Sequence, residues 1–373
     1  MSADSRLVLR SILMIAAAIV ISALIYQLSG YSAVDAVSGF IQGAITGPGA
    51  LTSTIRWAIP LALVGASVVL SFRAGYFNVG AQGQMYLGAI AAAAVAPIAP
   101  GPGLLKIAVA LICAVVAGTV WSLIAAWLKT VTGADEVLTT LMLNFIGTLF
   151  LQYVTNGPMR DLAGSGQVAA APPLAASVRI TDSSGVSPAN VILVIVVLAL
   201  VWLLVNRTTF GLASTIVGRN AQVAARQGVN SRAVIWSTFG ISGALAGLAG
   251  ALEILGPTGR LIQGFSPSIG FTGIVVALVA GLTIVGVAFA AFFFGALAAA
   301  IQFLPIVTNL PSSALDILQG LIALLITARI RVKLKAKPPR PHVSAEPAAA
   351  APIPVAEVSP AGELRESLDP RSN

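Results

Sequence analysis

Residues 189–205 read ANVILVIVVLALVWLLV, a stretch with no polar side to offer water in either a helix or a strand. Such a run belongs in a buried core or in lipid, and its repetition along the chain decides between the two. Hydrophobic runs bounded by charges, glycine and proline recur near residues 11–28, 53–71, 84–100, 105–128, 138–156, 188–206, 233–255, 268–285, 286–304 and 313–330. Each approaches the ~20 apolar residues that a helix needs to cross a ~30 Å hydrocarbon core. Only 9% of the 373 residues are charged, against about a quarter in soluble domains, which excludes a water-soluble fold. Membrane β-barrels alternate apolar and polar residues in short segments, and these runs do not. The fold class is all-α integral membrane, with about ten transmembrane helices. The stretch from Arg6 to Leu28 has a basic start, yet its apolar run is long for a signal-peptide core and is read as the first span. Residues 34–50, apolar but glycine-rich, are expected to form an outer loop or interfacial segment. The eighth and ninth runs, 268–285 and 286–304, are separated only by a turn expected around Val285 and Gly286.

Charge placement orients the spans, because Lys and Arg are retained on the cytoplasmic side in short loops. With the N-terminus inside, Arg6, Arg10, Arg73, Lys129, Arg207, Arg219, Arg226, Arg232, Arg329, Arg331, Lys333, Lys335, Lys337 and Arg340 fall cytoplasmic. Arg56, Lys106, Arg160, Arg179 and Arg260 fall outside. Topology thus explains the net charge of +8 without nucleic acid. Residues 1–332 form the expected transmembrane domain, and 333–373 a cytoplasmic tail, basic at first and then dominated by Pro and Ala, with no hydrophobic period, expected to be disordered. Cys113 and His342 are the only residues of their kinds, so internal disulfides, thiolate clusters and histidine-ligated metal sites within the membrane are excluded. No metal or cofactor is expected in this chain.

Two glycine-rich segments resemble one another. GYFNVGAQGQ, Gly75 to Gln84, follows the second span, and GFSPSIGFTGI, Gly264 to Ile274, follows the seventh. Each places an aromatic ahead of a GxxG pair: Phe77 before Gly80 and Gly83, and Phe265 before Gly270 and Gly273. One begins on the cytoplasmic side and the other outside, the signature of an inverted repeat with broken helices beside a central pathway. The cytoplasmic loop between spans six and seven carries a further local signal. Asn220 is a good N-cap, Ala221 to Gln227 favours helix, and Gly228 fits the left-handed position that ends one. The short helix with Arg219 and Arg226 suits a docking knob for a cytoplasmic partner, or an ordinary positive-inside loop.

These residues carry a family resemblance. GRNAQVAARQG (218–228) resembles the loop by which permease subunits of ATP-binding cassette importers engage their ATPases. GYFNVGAQGQMYLGA (75–89), GADEVLTTLMLNFI (133–146) and NGPMRD (156–161) resemble the branched-chain-type permease family, within it the branch serving nucleoside uptake. The resemblance spans about residues 53–330. It implies a bacterial inner-membrane importer subunit of ten helices, with spans two to five and seven to ten related by an inverted pseudo-two-fold. It also implies a second permease, a cytoplasmic ATPase and an external substrate-binding protein as partners. The docking contact would fall on Arg219, Asn220, Ala224, Ala225, Arg226 and Gly228. Family members usually carry Glu at the place of Ala81 or Gln82, and Asn–Glu where Asp135 and Glu136 stand. None of the five lysines follows a glycine, so the chain has no phosphate-cradling loop and ATP hydrolysis is expected on separate subunits.

Polar residues within the spans point to the path, since each costs free energy in lipid unless paired or facing a cavity. Asn78 and Gln82 in the first broken segment and Asn144 in the fifth span offer amide donors and acceptors suited to a base edge or ribose hydroxyls. Phe77, Phe265 and Phe271 offer faces for stacking a nucleobase. The competing readings are interhelical hydrogen bonding for the amides and helix packing for the aromatics. Gly240, Gly243, Gly247 and Gly250 lie on one face of the seventh span, as in close helix packing. Nucleosides are the expected cargo, with simple sugars as the alternative. An ion-coupled secondary transporter is disfavoured because no predicted span holds Asp or Glu near its centre, and a membrane enzyme because no catalytic constellation lies within the bilayer.

Overall fold

The computed structural model describes residues 27, 32–163, 168–181, 184–266, 268–307 and 320. Helix α1 (Ala33–Ile41) runs into a π-helical turn, Gln42–Thr46. After it come α2 (Ala50–Arg73), α3 (Ala81–Val95), α4 (Gly103–Thr132), α5 (Glu136–Asn156), α6 (Pro188–Arg207), α7 (Thr209–Arg219), α8 (Ala221–Arg226) and α9 (Ser231–Glu253). A second π-helical turn, Ile254–Thr258, extends α9, and α10 (Ile269–Val279) and α11 (Ile284–Val307) follow. Among the described residues β-structure is confined to one bridge, Ala170 to Ile262. The expected spans at 11–28 and 313–330, and the tail from 333, lie outside the described residues.

Among the described residues six helices, α2, α4, α5, α6, α9 with its π-turn, and α11, are long and apolar enough to cross a membrane. Their starts are set by local chemistry. Ser187 accepts from Asn190 N while the Asn190 side chain accepts from Ser187 N, and Pro188 opens α6 with a ring that needs no donor. Asp135 caps α5 by accepting from Leu138 N at 3.0 Å, and Asn230 caps α9 by accepting from Ala233 N at 3.1 Å.

Three expectations need correction. The runs at 84–100 and 268–285 do not form full spans. Helix α3 has 15 residues and α10 has 11, about 22 Å and 16 Å at 1.5 Å per residue, both short of a ~30 Å core. Pro97 and Pro100 lie just past the end of α3, and α10 ends where Gly281 and Leu282 turn left-handed, at φ 62° and 57°. That turn, at 280–283, also replaces the one expected around Val285 and Gly286. Residues 34–50 are largely helical instead of forming a loop. Gly43 and Ala44 are buried, a Cβ on Gly43 would sit 2.7 Å from Phe303 Cβ, and Thr54 Oγ1 donates to Ala44 O at 2.7 Å. Small residues let this segment tuck between α2 and α11.

The interior is built on α2 and α9. From Ile59 to Ser71 every residue of α2 is buried, and so is nearly every residue of α9 from Ser242 to Glu253. Helix α4 buries only a stripe of small residues, Ala110, Ala114, Gly118, Ser122, Ala125 and Ala126. That stripe meets the glycines of α9 backbone to backbone: a Cβ on Gly243 would collide with the Gly118 carbonyl, and one on Gly247 with the Ala114 carbonyl. On the α3 side, Gly88 abuts Gly247 and Gly250 abuts the Met85 carbonyl. Gly240 stands apart, its nearest neighbours being side chains at 3.7 and 3.8 Å. Close approach of this kind is how helices associate where lipid removes the hydrophobic drive.

Candidate translocation site

Between α2 and α3 the chain leaves helical geometry at 74–80, and between α9 and α10 it does so again at 259–266 and 268. Non-helical backbone inside a membrane protein must find partners within the protein. Side-chain amides supply them here. Asn144 Nδ2 donates to Val79 O at 2.9 Å, and its Oδ1 accepts from Gly83 N at 2.8 Å. Thr140 Oγ1 accepts from Val79 N at 3.2 Å. Asn78 Oδ1 accepts from Gly80 N at 2.9 Å and from Gln84 Nε2 at 3.1 Å. Its Nδ2 donates to Ser242 Oγ at 2.8 Å, and Ser242 in turn bonds Ser67 at 2.7 Å, so the first break is tied to the middle of α9 and to α2.

The second break is held from the first. Gln82, in the opening turn of α3, accepts from Gly270 N at 2.6 Å and donates through Nε2 to Ser266 O at 2.5 Å. Tyr86 donates to the same carbonyl at 3.3 Å. The N-termini of the two short helices therefore meet at one glutamine. The four GxxG glycines explain how they come so close. A Cβ on Gly270 would sit 2.5 Å from Gln82 Cβ, one on Gly83 2.9 Å from the Leu143 carbonyl, and one on Gly273 inside Val64, while Gly80 lies against Thr140.

A cavity of about 220 Å³ opens at this junction, walled by Gln82 and Tyr86 of α3, Asn144, Phe145, Thr148 and Gln152 of α5, and Gln263 and Phe271 beyond α9. Of the sequence-predicted path residues, the structure brings Gln82, Asn144 and Phe271 to this wall. Phe265 stands behind it, edge-on to Tyr86 at 5.4 Å between ring centres. Asn78 is fully buried outside the lining, and Phe77, half-exposed, packs edge-on against Phe72 at 4.8 Å. Sequence reasoning did not assign Tyr86, Phe145, Thr148, Gln152 or Gln263 to the wall. Tyr86 stands within the 75–89 motif, four residues and one helical turn after Gln82, which was the available signal.

Two ion pairs fix helix ends. Arg56 Nη2 and Glu253 Oε1 are 2.7 Å apart, joining α2 to the end of α9, with Arg56 also stacked 3.9 Å over the Trp57 ring. Lys129 Nζ and Glu136 Oε2, also 2.7 Å apart, close the tight turn between α4 and α5. Among the described residues no three His, Cys, Asp or Glu side chains converge as a metal site would require.

The 218–228 loop is a helix with the expected ends. Asn220 Oδ1 accepts from Gln222 N and Val223 N at 3.0 and 3.1 Å, and Gly228 takes φ 76°. Ala224 is buried with Ala74, Val217 and Val234, whereas Arg219, Ala225 and Arg226 face outward. Gly75 lies against Gly218, where a Cβ would come within 2.9 Å of its Cα, so the loop rests directly beneath the first break.

Comparison with known proteins places this architecture. Residues 50–327 match the family described as the permease component of branched-chain amino acid transport systems. The chain is similar to the guanosine ABC transporter permease of Bacillus subtilis (strain 168), 33% identical over 83% of this chain and 90% of the relative. It is also similar to a glucose ABC transporter permease of Haloferax volcanii, 31% identical over 79% of this chain and 80% of the relative. A nucleoside ABC transporter permease of Lactococcus lactis is 27% identical over 80% of this chain and 84% of its own length. No solved structure matches. With three quarters of its length under the family match and half-length helices beginning at its glycine motifs, the chain is a multi-pass membrane protein that belongs to the branched-chain-type permease family of ABC transporters.

Proposed function

We propose that this chain is one permease subunit of an ATP-driven importer that carries nucleosides across the bacterial inner membrane. The observation that carries this reading is the cavity at the junction of α3 and α10. Aromatic rings from Tyr86 and Phe271 and the amides of Gln152 and Gln263 converge there, a lining suited to a flat base with a hydrogen-bonding edge. The guanosine and nucleoside permeases among the relatives agree with it. A second permease would complete the path, a cytoplasmic ATPase would dock on the face of α8 that carries Arg219 and Arg226, and an external binding protein would deliver the cargo. Both termini lie in the cytoplasm in this reading. The meeting of two short helices through Gln82 supports the inverted relation between spans two to five and seven to ten of a ten-helix permease. Ion coupling is disfavoured further, because Glu253 and Glu136 are each held by a cation.

The glucose permease relative favours a second reading, simple sugars. A sugar can lay its C–H face on an aromatic ring but lacks a flat base with a donor and acceptor edge for the amides. The test is uptake of labelled guanosine by cells expressing the whole system, with excess ribose, xylose or glucose as competitors. Accumulation of guanosine that the sugars leave unchanged is expected. Competition by sugars without nucleoside accumulation would overturn the cargo and leave the permease family standing.

A further inference from the structure

The amides around the junction divide into two sets. Both functions of Gln82 and both of Asn144 are spent on backbone partners: Ser266 O and Gly270 N for the first, Val79 O and Gly83 N for the second. Each keeps a second N–H and a second lone pair, but these backbone bonds fix the orientation of both amides. Gln152 and Gln263 differ. The side chain of Gln152, half-buried in the same wall, has no hydrogen-bond partner among the described residues, and the side chain of Gln263 is engaged there at Oε1 alone, which accepts from Asn156 Nδ2 at 3.3 Å. Phe271, 44% exposed, lines the wall beside them.

Size narrows what enters. At about 220 Å³ the cavity is smaller than the ~300–1,000 Å³ of pockets that enclose a whole small molecule, so it takes one end of the cargo. An aromatic ring and a free amide with donor and acceptor side by side suit the donor and acceptor edge of a purine, which differs between guanine and adenine. The ribose lacks such an edge and makes poorer use of that wall.

Resting on the nucleoside reading above, we infer that this cavity receives the base end of the cargo, with Gln152 and Gln263 as specificity-determining residues. Gln82 and Asn144 are positioning residues that hold the wall. An amide lost from the reading edge changes discrimination between bases, whereas an amide lost from the positioning set changes how much working protein there is.

Cells carrying the whole importer, with wild-type chain or Gln152→Leu, Gln263→Leu, Gln152→Asn or Gln82→Leu, are assayed for initial uptake of guanosine, adenosine and 2′-deoxyguanosine alongside the amount of this chain in the membrane. Selectivity imposed by a binding protein is common to all and cancels in each variant-to-wild-type quotient. Gln152→Leu and Gln263→Leu should shift the guanosine-to-adenosine ratio about three- to tenfold, the worth of one hydrogen bond, and leave the deoxyguanosine-to-guanosine ratio unchanged. Gln152→Asn should give an intermediate ratio and carries the test if the leucine variant fails to insert. Gln82→Leu should lower all three rates in step with membrane protein. Unchanged base ratios in the Gln152 and Gln263 variants, or an equal shift in the deoxyguanosine ratio, overturn the assignment. A wild-type importer that accumulates none of the three nucleosides defeats the nucleoside reading itself, before any variant is compared.

Discussion

At the scale of single residues, the departures from the family pattern are explained by hydrogen-bond inventory. The family resemblance implies Asn where Asp135 stands, and either residue caps a helix through a side-chain oxygen, as Asp135 does toward Leu138 N. Gln82 is a different case, because this junction uses its N–H and its carbonyl together. A carboxylate accepts and cannot donate. Gln82→Glu should therefore keep the bond from Gly270 N, lose the bond to Ser266 O and leave two oxygens facing each other in a buried site. The expected cost is about 1–3 kcal/mol, seen as a lower thermal midpoint of the purified protein in detergent. A midpoint equal to that of wild type would mean the amide is no pin. The residues nominated from sequence divide on the same inventory: an amide in an apolar run signals that something polar is nearby, and only the fold tells backbone from cavity.

Among elements, α8 shows what local sequence carries well. Asn220, a run of helix formers and Gly228 specify both ends within nine residues, and the structure places the cap bonds and the left-handed glycine there. No atom approaches within 4 Å of a Cβ built on Gly228, so its requirement is backbone conformation and not space. Gly228→Asn should transport nearly as wild type, since Asn tolerates positive φ, whereas Gly228→Val, strained by about 1–2 kcal/mol, should transport less at equal membrane level. Equal transport by both variants would reduce the loop to a topology signal. The half-length helices were less legible. Hydropathy measures how apolar a window is, and the breaks before Ala81 and Ile269 lie in stretches that remain apolar while their backbone is satisfied by side chains 60 to 190 residues away, as Asn144 satisfies Gly83 (|i−j| of 61) and Gln82 satisfies Gly270 (|i−j| of 188). The 33–46 helix was hidden for a similar reason. Its glycines read as loop, and its partners, Ala300 and Phe303, are far along the chain.

For the whole molecule, orientation is the first quantity to measure. Ser177 and Arg232, both exposed, lie on opposite sides of α6 in the chain. In a Cys113→Ser background, single cysteines at the two positions should react with an impermeant thiol reagent from opposite faces of the membrane, Ser177→Cys from outside and Arg232→Cys from the cytoplasm. Reaction of both from one side would overturn the topology. The glycine seam where α9 meets α3 and α4 has a kinematic consequence. Screwing α9 by a single residue, a rise of about 1.5 Å with a turn of about 100°, would put Ala246 or Leu248 in the place that Gly247 fits. The seam is locked in register, so the three helices travel as a single body. Bending would then fall to the two breaks, and a thrust received at Gly218 reaches the nearer one through its backbone contact with Arg73, Ala74 and Gly75.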